Sequence, residues 1–191
     1  AEQTETGQRP IDNGTTVRTD EIYALSQTTI TFHDPSYEDR LIATFTLKGN
    51  TTVLLGRNQR PRFEWSNGFY EIQINEFTGE LDITIPEGLP RDVEVSITTP
   101  QDVEILILES GRYLVDGALS EVSLVNREGL ALMLPPEPKS PRSIPVNNRG
   151  IYQSSVGEVE IMPWATNLID NSTLLTFTPD EDEFLSETFT D

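Results

Sequence analysis

Apolar and polar residues alternate with a period of two over much of the chain, most clearly between residues 79 and 134. In residues 81–85 and 93–97 every second residue is aliphatic and the residues between them are polar, and Val103, Ile105 and Ile107 continue the alternation. This period is typical of β-strands with one buried face. No window has the apolar spacing of an amphipathic helix, so the pattern predicts many short strands and almost no helix.

Turn residues separate further predicted strands, at residues 28–33, 41–47, 51–55 and 70–74. Asp34, Pro35 and Ser36 predict a hairpin between the first two of these strands. Gly49 and Asn50 predict a turn between the second and the third. The Asn67-Gly68 pair is the strongest hairpin signal in the sequence. The rings of Phe63 and Trp65, which precede this pair, are predicted to cover one end of the sheet.

Beyond residue 134, four prolines within residues 135–141 predict a linker or an edge loop. Three short strands are predicted at residues 144–146, 150–153 and 156–161, and a last strand at 173–178. Turn signals recur every 8 to 12 residues, a spacing typical of a β-sandwich or a short β-solenoid. The sequence therefore predicts an all-β fold of one of these two kinds, with extended N- and C-terminal arms.

The pattern divides the chain into three parts. Residues 1–21 are polar, with only Ile11 and Val17 as apolar anchors, and are predicted to form an N-terminal arm. Residues 22–165 carry the alternating pattern and are predicted to form one all-β domain. Residues 166–191 are predicted to contain a C-terminal strand followed by an acidic tail.

The charge of the chain excludes one class of partner. It has 32 acidic and 13 basic residues, a formal net charge of −19. So negative a surface repels the phosphate backbone of nucleic acids and anionic lipid head groups. We expect binding to neither DNA nor RNA. The one basic cluster of the sequence consists of Arg57, Arg60 and Arg62. We interpret these residues as the solvated start of a strand rather than as an anion-binding site.

The sequence has no cysteine, so disulfides and thiolate metal ligands cannot form. It has no apolar run near 18 residues, and we expect no membrane span. Ala1 followed by a polar segment is what removal of a signal peptide leaves, so we expect a secreted or surface-exposed, extracytoplasmic protein. The sequons at Asn13, Asn50 and Asn171 permit glycosylation.

Catalytic chemistry has little support in the residues. His33 is the only histidine. A multi-histidine metal site or a catalytic triad therefore cannot be assembled within this chain. Carboxylates are abundant, but abundance does not indicate the paired geometry of a glycosidase. We therefore expect no enzymatic activity and no cofactor.

The acidic run at residues 180–183 offers four oxygen donors in succession. It lacks the spacing of a dedicated calcium loop, so at most a weak calcium site is expected at this tail. We interpret the run mainly as a solvated tail.

Six segments of the chain carry a family resemblance, at residues 14–20, 26–32, 47–55, 97–100, 111–115 and 122–130. They resemble the FecR-type domain, an all-β extracytoplasmic module of bacterial envelope proteins, and together they cover roughly residues 12–155. The chain has Glu109, Ser110, Gly111 and Arg112 where the family usually has a Gly-Thr pair. The resemblance implies a non-enzymatic role, either in protein–protein relay across the envelope, as in anti-sigma regulators, or in a surface protein.

Two functions follow as hypotheses. The first is a structural subunit of a cell-surface assembly or filament, in which a strand of one copy pairs with the sheet of another copy. The second, the alternative, is a FecR-type envelope sensor or relay module that binds a protein partner. The residues predicted to carry self-association lie in the C-terminal segment: Leu174, Leu175, Phe177, Phe184, Leu185 and Phe189.

Overall fold

A computed structural model describes residues 22–60, 68–138 and 140–164, with the backbone alone for residues 22–27. These residues form eleven β-strands and no helix, which confirms the all-β prediction. Within this part of the chain there is accordingly no helix that could cross a membrane. The predicted strand at 173–178 and the rings of Phe63 and Trp65 lie outside the described residues, as do both predicted arms.

The strands follow one another closely along the chain. They are β1 (Ile22–Asp34), β2 (Arg40–Leu55), β3 (Tyr70–Ile85), β4 (Val93–Thr98), β5 (Glu104–Ile107), β6 (Gly111–Gly117), β7 (Glu121–Glu128), β8 (Ala131–Leu134), β9 (Arg142–Ile144), β10 (Asn148–Gln153) and β11 (Val159–Pro163).

Two long strands, β2 and β3, replace the shorter strands predicted there. The turn predicted at Gly49 and Asn50 is wrong, because β2 continues through it as one strand of 16 residues. Gly49 adopts a left-handed φ of 63°, and the pairing register with β3 shifts between Lys48 and Thr52. A left-handed glycine at this point produces a β-bulge rather than a chain reversal. β3 likewise runs unbroken from residue 70 to residue 85, with Gly79 at a φ of 109°.

These bulges form a crease across the sheet. On one side of the crease, β3 pairs with β2 and with β6; on the other side it pairs with β2 and, in parallel, with β4. The strands thus form two layers that share β1, β2 and β3. The first layer continues with β6, β7, β10 and β11, and the second layer with β4, β5, β8 and β9.

The two layers face each other across the hydrophobic core. The core contains the inward-facing residues of every strand from β2 to β8, such as Phe45, Ile83, Val95 and Tyr113, all 0% exposed. Contacts between β9 and β10 connect the layers directly: a Cβ atom on Gly150 would lie 2.4 Å from Cδ1 of Ile144. Except for β3 with β4, the described strands pair in antiparallel fashion, as in a sandwich or barrel rather than in the parallel coils of a solenoid.

In the region after residue 134 the structure decides between two predicted alternatives and corrects the positions of two strands. The proline-rich residues connect β8 to β9, which pair with each other, so this segment is an edge loop and not a linker between domains. The strands predicted at 144–146 and 156–161 lie instead at Arg142–Ile144 and Val159–Pro163. Pro145 follows β9 directly and has no N–H with which to continue the ladder.

Candidate functional site

A buried carboxylate joins the two ends of the folded sheet. Asp34, at the end of β1, is 4% exposed and accepts hydrogen bonds from the Ser36 amide at 2.8 Å and the Tyr70 hydroxyl at 2.9 Å. Nη1 of Arg60 lies 3.0 Å from the same carboxylate and also contacts Oγ of Ser36. The four side chains come from segments up to 36 residues apart, and we call them the Asp34 cluster: Asp34, Ser36, Arg60 and Tyr70.

This cluster shows how sharply the sheet bends. A straight strand of 16 residues is about 50 Å long. Tyr70 begins β3, whereas Asp34 pairs with the start of β2, which lies beside the other end of β3. Their hydrogen bond therefore requires that the sheet fold back on itself at the crease.

The electrostatics of the cluster favour one protonation state. Burial by itself raises the pKa of Asp34, but the hydrogen bonds from the Ser36 amide, Tyr70 and Arg60 outweigh burial and hold the pKa below its ordinary value. Burial, and next the hydrogen bond to Asp34, raise the pKa of Tyr70 to about 12. At neutral pH Asp34 is ionised and Tyr70 is protonated, which is the arrangement of a stable structural pair rather than of an acid and a base exchanging protons.

A cavity of about 210 Å³ lies beside the cluster, between the end of β1 and residues 58–60. Its apolar walls are Phe32, Ile42, Tyr70 and Ile72. Small-molecule sites in proteins usually have about 300–1,000 Å³. This cavity is smaller than that range, but it is much larger than the roughly 30 Å³ of a water molecule, so its size suits one or two protein side chains.

The basic cluster and the single histidine, both considered as candidate sites from the sequence, lie near this cavity or close to it in the chain. Of the basic cluster, Arg57 is exposed as predicted, whereas Arg60 pairs with the buried Asp34. Arg62 lies outside the described residues. Nδ1 of His33 lies 2.9 Å from the main-chain oxygen of Asp39. Within the described ranges, no group of three or more histidine, aspartate and glutamate side chains is close enough to hold a metal ion.

The outer face of the first layer carries ion pairs beside an apolar pair, Leu114 of β6 with Val125 of β7. Lys48 lies 3.0 Å from Glu80, and Arg149 lies 3.2 Å from Glu121. Partial burial, followed by the charge of Glu80, raises the pKa of Asp116 on the same face. These pairs leave a mainly charged, hydrated surface.

The outer face of the second layer differs, because leucines occupy it. Leu106 of β5 pairs directly with Leu132 of β8, and Leu134 lies two residues further along β8. All three are half-buried and point away from the core, since their neighbours Ile105, Ile107, Ala131 and Met133 are 0% exposed. We call Leu106, Leu132 and Leu134 the leucine face. Adjacent apolar side chains on the outer surface of a sheet are typical of a protein-binding surface.

The sequence itself contains a signal for this face. Residues 105–108 and 130–134 are apolar without interruption, so both alternating sets of side chains are apolar. A strand of that kind has two apolar faces, of which a single core buries one.

The predicted self-association residues Leu174, Leu175, Phe177, Phe184, Leu185 and Phe189 lie outside the described residues, as does the acidic run proposed for calcium. Of the three sequons, Asn50 is described and lies exposed at the crease, where β2 bulges. Asn13 and Asn171 fall outside the described ranges. The strand exchange predicted for these C-terminal residues stays a prediction.

The chain was compared with known proteins. No family model matches the chain, and no curated protein matches it. The fold, however, has solved counterparts. It is similar to two crystal structures of a candidate anti-sigma factor from Parabacteroides distasonis ATCC 8503, each with a TM-score of 0.51 and 14% sequence identity.

The similarity extends over most of this chain. It covers 80% of the chain in one comparison and 78% in the other, but only 64% and 62% of the Parabacteroides protein, so this chain spans less than two thirds of that protein's length. At 14% identity the likeness is one of fold.

Proposed function

We propose that this chain is a non-enzymatic, extracytoplasmic sensor or relay module that binds a protein partner. The observation that carries the proposal is the fold shared with a candidate anti-sigma factor over 80% of the chain. The FecR-type segments of the sequence support the same class. Under this proposal the folded sheet is a rigid scaffold, and function depends on its outer surfaces.

The leucine face is the surface that best fits a protein partner. On the outer face of the first layer, ion pairs such as Lys48 with Glu80 surround the apolar pair Leu114 and Val125, and Val125 is only 1% exposed. Leu106 and Leu132 are paired across β5 and β8 and remain partly exposed. Burying them against another protein lowers the free energy of the complex by about 25 cal/mol for each Å² of apolar area removed from water. A relay partner would therefore dock on the second layer.

Two matched variants test the proposal in the cell that makes the protein. Leu132→Glu places a charge in the leucine face, and Leu119→Glu places the same charge at a leucine that is 80% exposed in the turn between β6 and β7. We expect Leu132→Glu to change transcription of the same genes as deletion of the protein, while Leu119→Glu behaves like the wild type. If deletion leaves transcription unchanged, the relay function is wrong.

Cross-linking tests the surface separately from the signal. A photo-reactive amino acid at position 132 should yield a discrete adduct with one protein, and the same amino acid at position 119 should not. Equal labelling at both positions would show that the leucine face is not the binding surface.

A further inference from the structure

The outer surface of the second layer carries carboxylates next to the leucine face. Side chains in register on neighbouring strands lie about 5 Å apart at their Cβ atoms. Glu104 of β5 is the register partner of Leu134 of β8, so it borders the leucine face directly. Glu94 lies diagonally across from Leu106, because the register partner of Leu106 is Ser96, two residues further along β4.

A third carboxylate continues this row onto β3. Glu71 is the register partner of Glu94, and all three glutamates are half-buried. We call Glu71, Glu94 and Glu104 the acidic border. Like charges in register on adjacent strands destabilise a sheet. A cation bound beside Glu71 and Glu94 would remove this repulsion.

The hydrogen bonds of the acidic border come from neutral groups. Nε2 of Gln73 donates to Oε1 of Glu71 at 2.6 Å, and Oγ of Ser96 donates to Oε1 of Glu104 at 2.8 Å. These donors orient the carboxylates without cancelling their charge. The four strands β3, β4, β5 and β8 contain no lysine or arginine. The acidic border therefore gives this part of the surface a negative charge.

Two more leucines continue the apolar surface beyond the leucine face. Leu108 follows β5 and Leu130 precedes β8, and the N–H of Leu108 donates to the main-chain oxygen of Leu130 at 3.0 Å. Both side chains are half-buried. Apolar residues thus follow the whole β5–β8 pair, with carboxylates beside them. An apolar centre with a polar rim is the usual composition of a protein–protein interface.

Charge complementarity decides which kind of protein fits this surface. A second copy of the chain also has a net charge of −19, and a symmetric contact through the leucine face would bring two acidic borders together. A surface with cations beside its apolar residues is attracted instead. Opposite charges at the rim of an interface increase the rate of association and select the correct partner.

From these observations we infer that the leucine face binds a protein surface on which aliphatic or aromatic side chains lie beside lysine or arginine. The leucines contact the apolar side chains, and the acidic border pairs with the cations. This inference rests on the proposed function, because the relay partner is the protein that carries the basic surface. It adds the chemistry of that partner to the docking surface.

Cross-linking of the full chain in the cells that make it tests this inference. The probe is a photo-reactive amino acid at position 132, combined with Glu94→Gln and Glu104→Gln. The control combines the same probe with Glu158→Gln and Glu160→Gln, which remove two exposed carboxylates beside and in β11. We expect the yield of the adduct to fall at least about threefold in the first variant, since rim charges govern association. The control should match the wild type.

Mass spectrometry of the adduct identifies the occupant of the face. We expect a segment of one other protein with lysine or arginine close to the cross-linked residue. A segment without basic residues, or equal yields from the two double variants, overturns the inference. An adduct within the chain itself or with a second copy also overturns it, and so does the absence of any adduct.

Two further points keep the test decisive. Glutamine at position 104 retains an oxygen that can accept the hydrogen bond from Ser96, and thermal unfolding checks that each variant is folded. If the double variant does not fold, the cross-linked segment from the probe-bearing wild type still decides the charge of the partner. Failure of the relay function is a separate result, because it is measured by transcription after deletion of the protein.

Discussion

Asp34 connects parts of the chain that are distant in sequence. Its partners Arg60 and Tyr70 lie 26 and 36 residues away, and each binds the carboxylate within about 3 Å. The hydrogen bonds replace the water that a carboxylate loses on burial, which is why the pKa of Asp34 is lowered although the group is buried. This one residue therefore stabilises the open side of the folded sheet, opposite the crease.

The variant Asp34→Asn should be less stable than the wild type. It keeps the size of the side chain but removes the charge that Arg60 and the Ser36 amide bind, and hydrogen bonds to a charged group are worth about 1.5–3 kcal/mol. We expect a loss of about 1–3 kcal/mol in the free energy of unfolding at pH 7, measured by urea denaturation. Asp39→Asn is the control, since the Asp39 side chain is 76% exposed, and should change the free energy by less than about 0.5 kcal/mol.

The difference between wild type and Asp34→Asn should depend on pH. Because the pKa of Asp34 is lowered in the folded state, its stabilising effect is complete above the ordinary value of 3.8 and is lost as the pH falls through the lower, folded value. The unfolding free energies of the two proteins should therefore converge as the pH falls well below 3.8. A constant difference across this range would mean that charge is not the reason for the loss.

At the scale of single elements, the crease is the feature that shapes β2 and β3. Gly79 and Thr51 face each other where β2 and β3 bulge, and a Cβ atom on Gly79 would lie 2.6 Å from Oγ1 and 2.8 Å from Cα of Thr51. Thr51 in turn donates a hydrogen bond to the main-chain oxygen of Lys48 at 2.7 Å. This close approach of two main chains leaves no space for a side chain at position 79.

Alanine at two glycines of this crease should separate steric crowding from backbone strain. Gly79 and Gly49 both have a positive φ, but nothing lies within 4 Å of a Cβ atom placed on Gly49. Gly49→Ala should cost about 1 kcal/mol, the cost of an alanine in the left-handed region. Gly79→Ala should cost about 1–3 kcal/mol more, because Thr51 must also move. Similar unfolding free energies for the two variants would show that the crease tolerates a side chain.

At the scale of the whole molecule, the net charge of −19 opposes association between copies. The sequence pI is about 4.2, so the repulsion weakens as carboxylates are protonated. We expect light scattering from a concentrated solution to rise between pH 7 and pH 5. Added salt at pH 7 should have a similar effect, because it screens the same charges. Scattering that stays flat under both conditions would show that charge repulsion does not limit association.

Much of the fold was determined locally and could be predicted. Alternation in residues 81–85 and 93–97 identified strands and their buried faces, since a period of two follows from strand geometry alone. The hairpin at residues 34–36 followed from turn residues in the same way. The composition, without cysteine and strongly acidic, determined the net charge of −19.

Other features were decided only by the tertiary structure. Whether Gly49 reverses the chain or bulges it depends on the strand that pairs beside it, and β3 continues past this point as one strand. The Asp34 cluster forms because the sheet folds at the crease, so no local pattern connects Asp34 with Arg60 and Tyr70. The leucine face likewise depends on which strands are neighbours. Strand order results from contacts between distant segments, whereas the alternation along a strand encodes only which of its faces is buried.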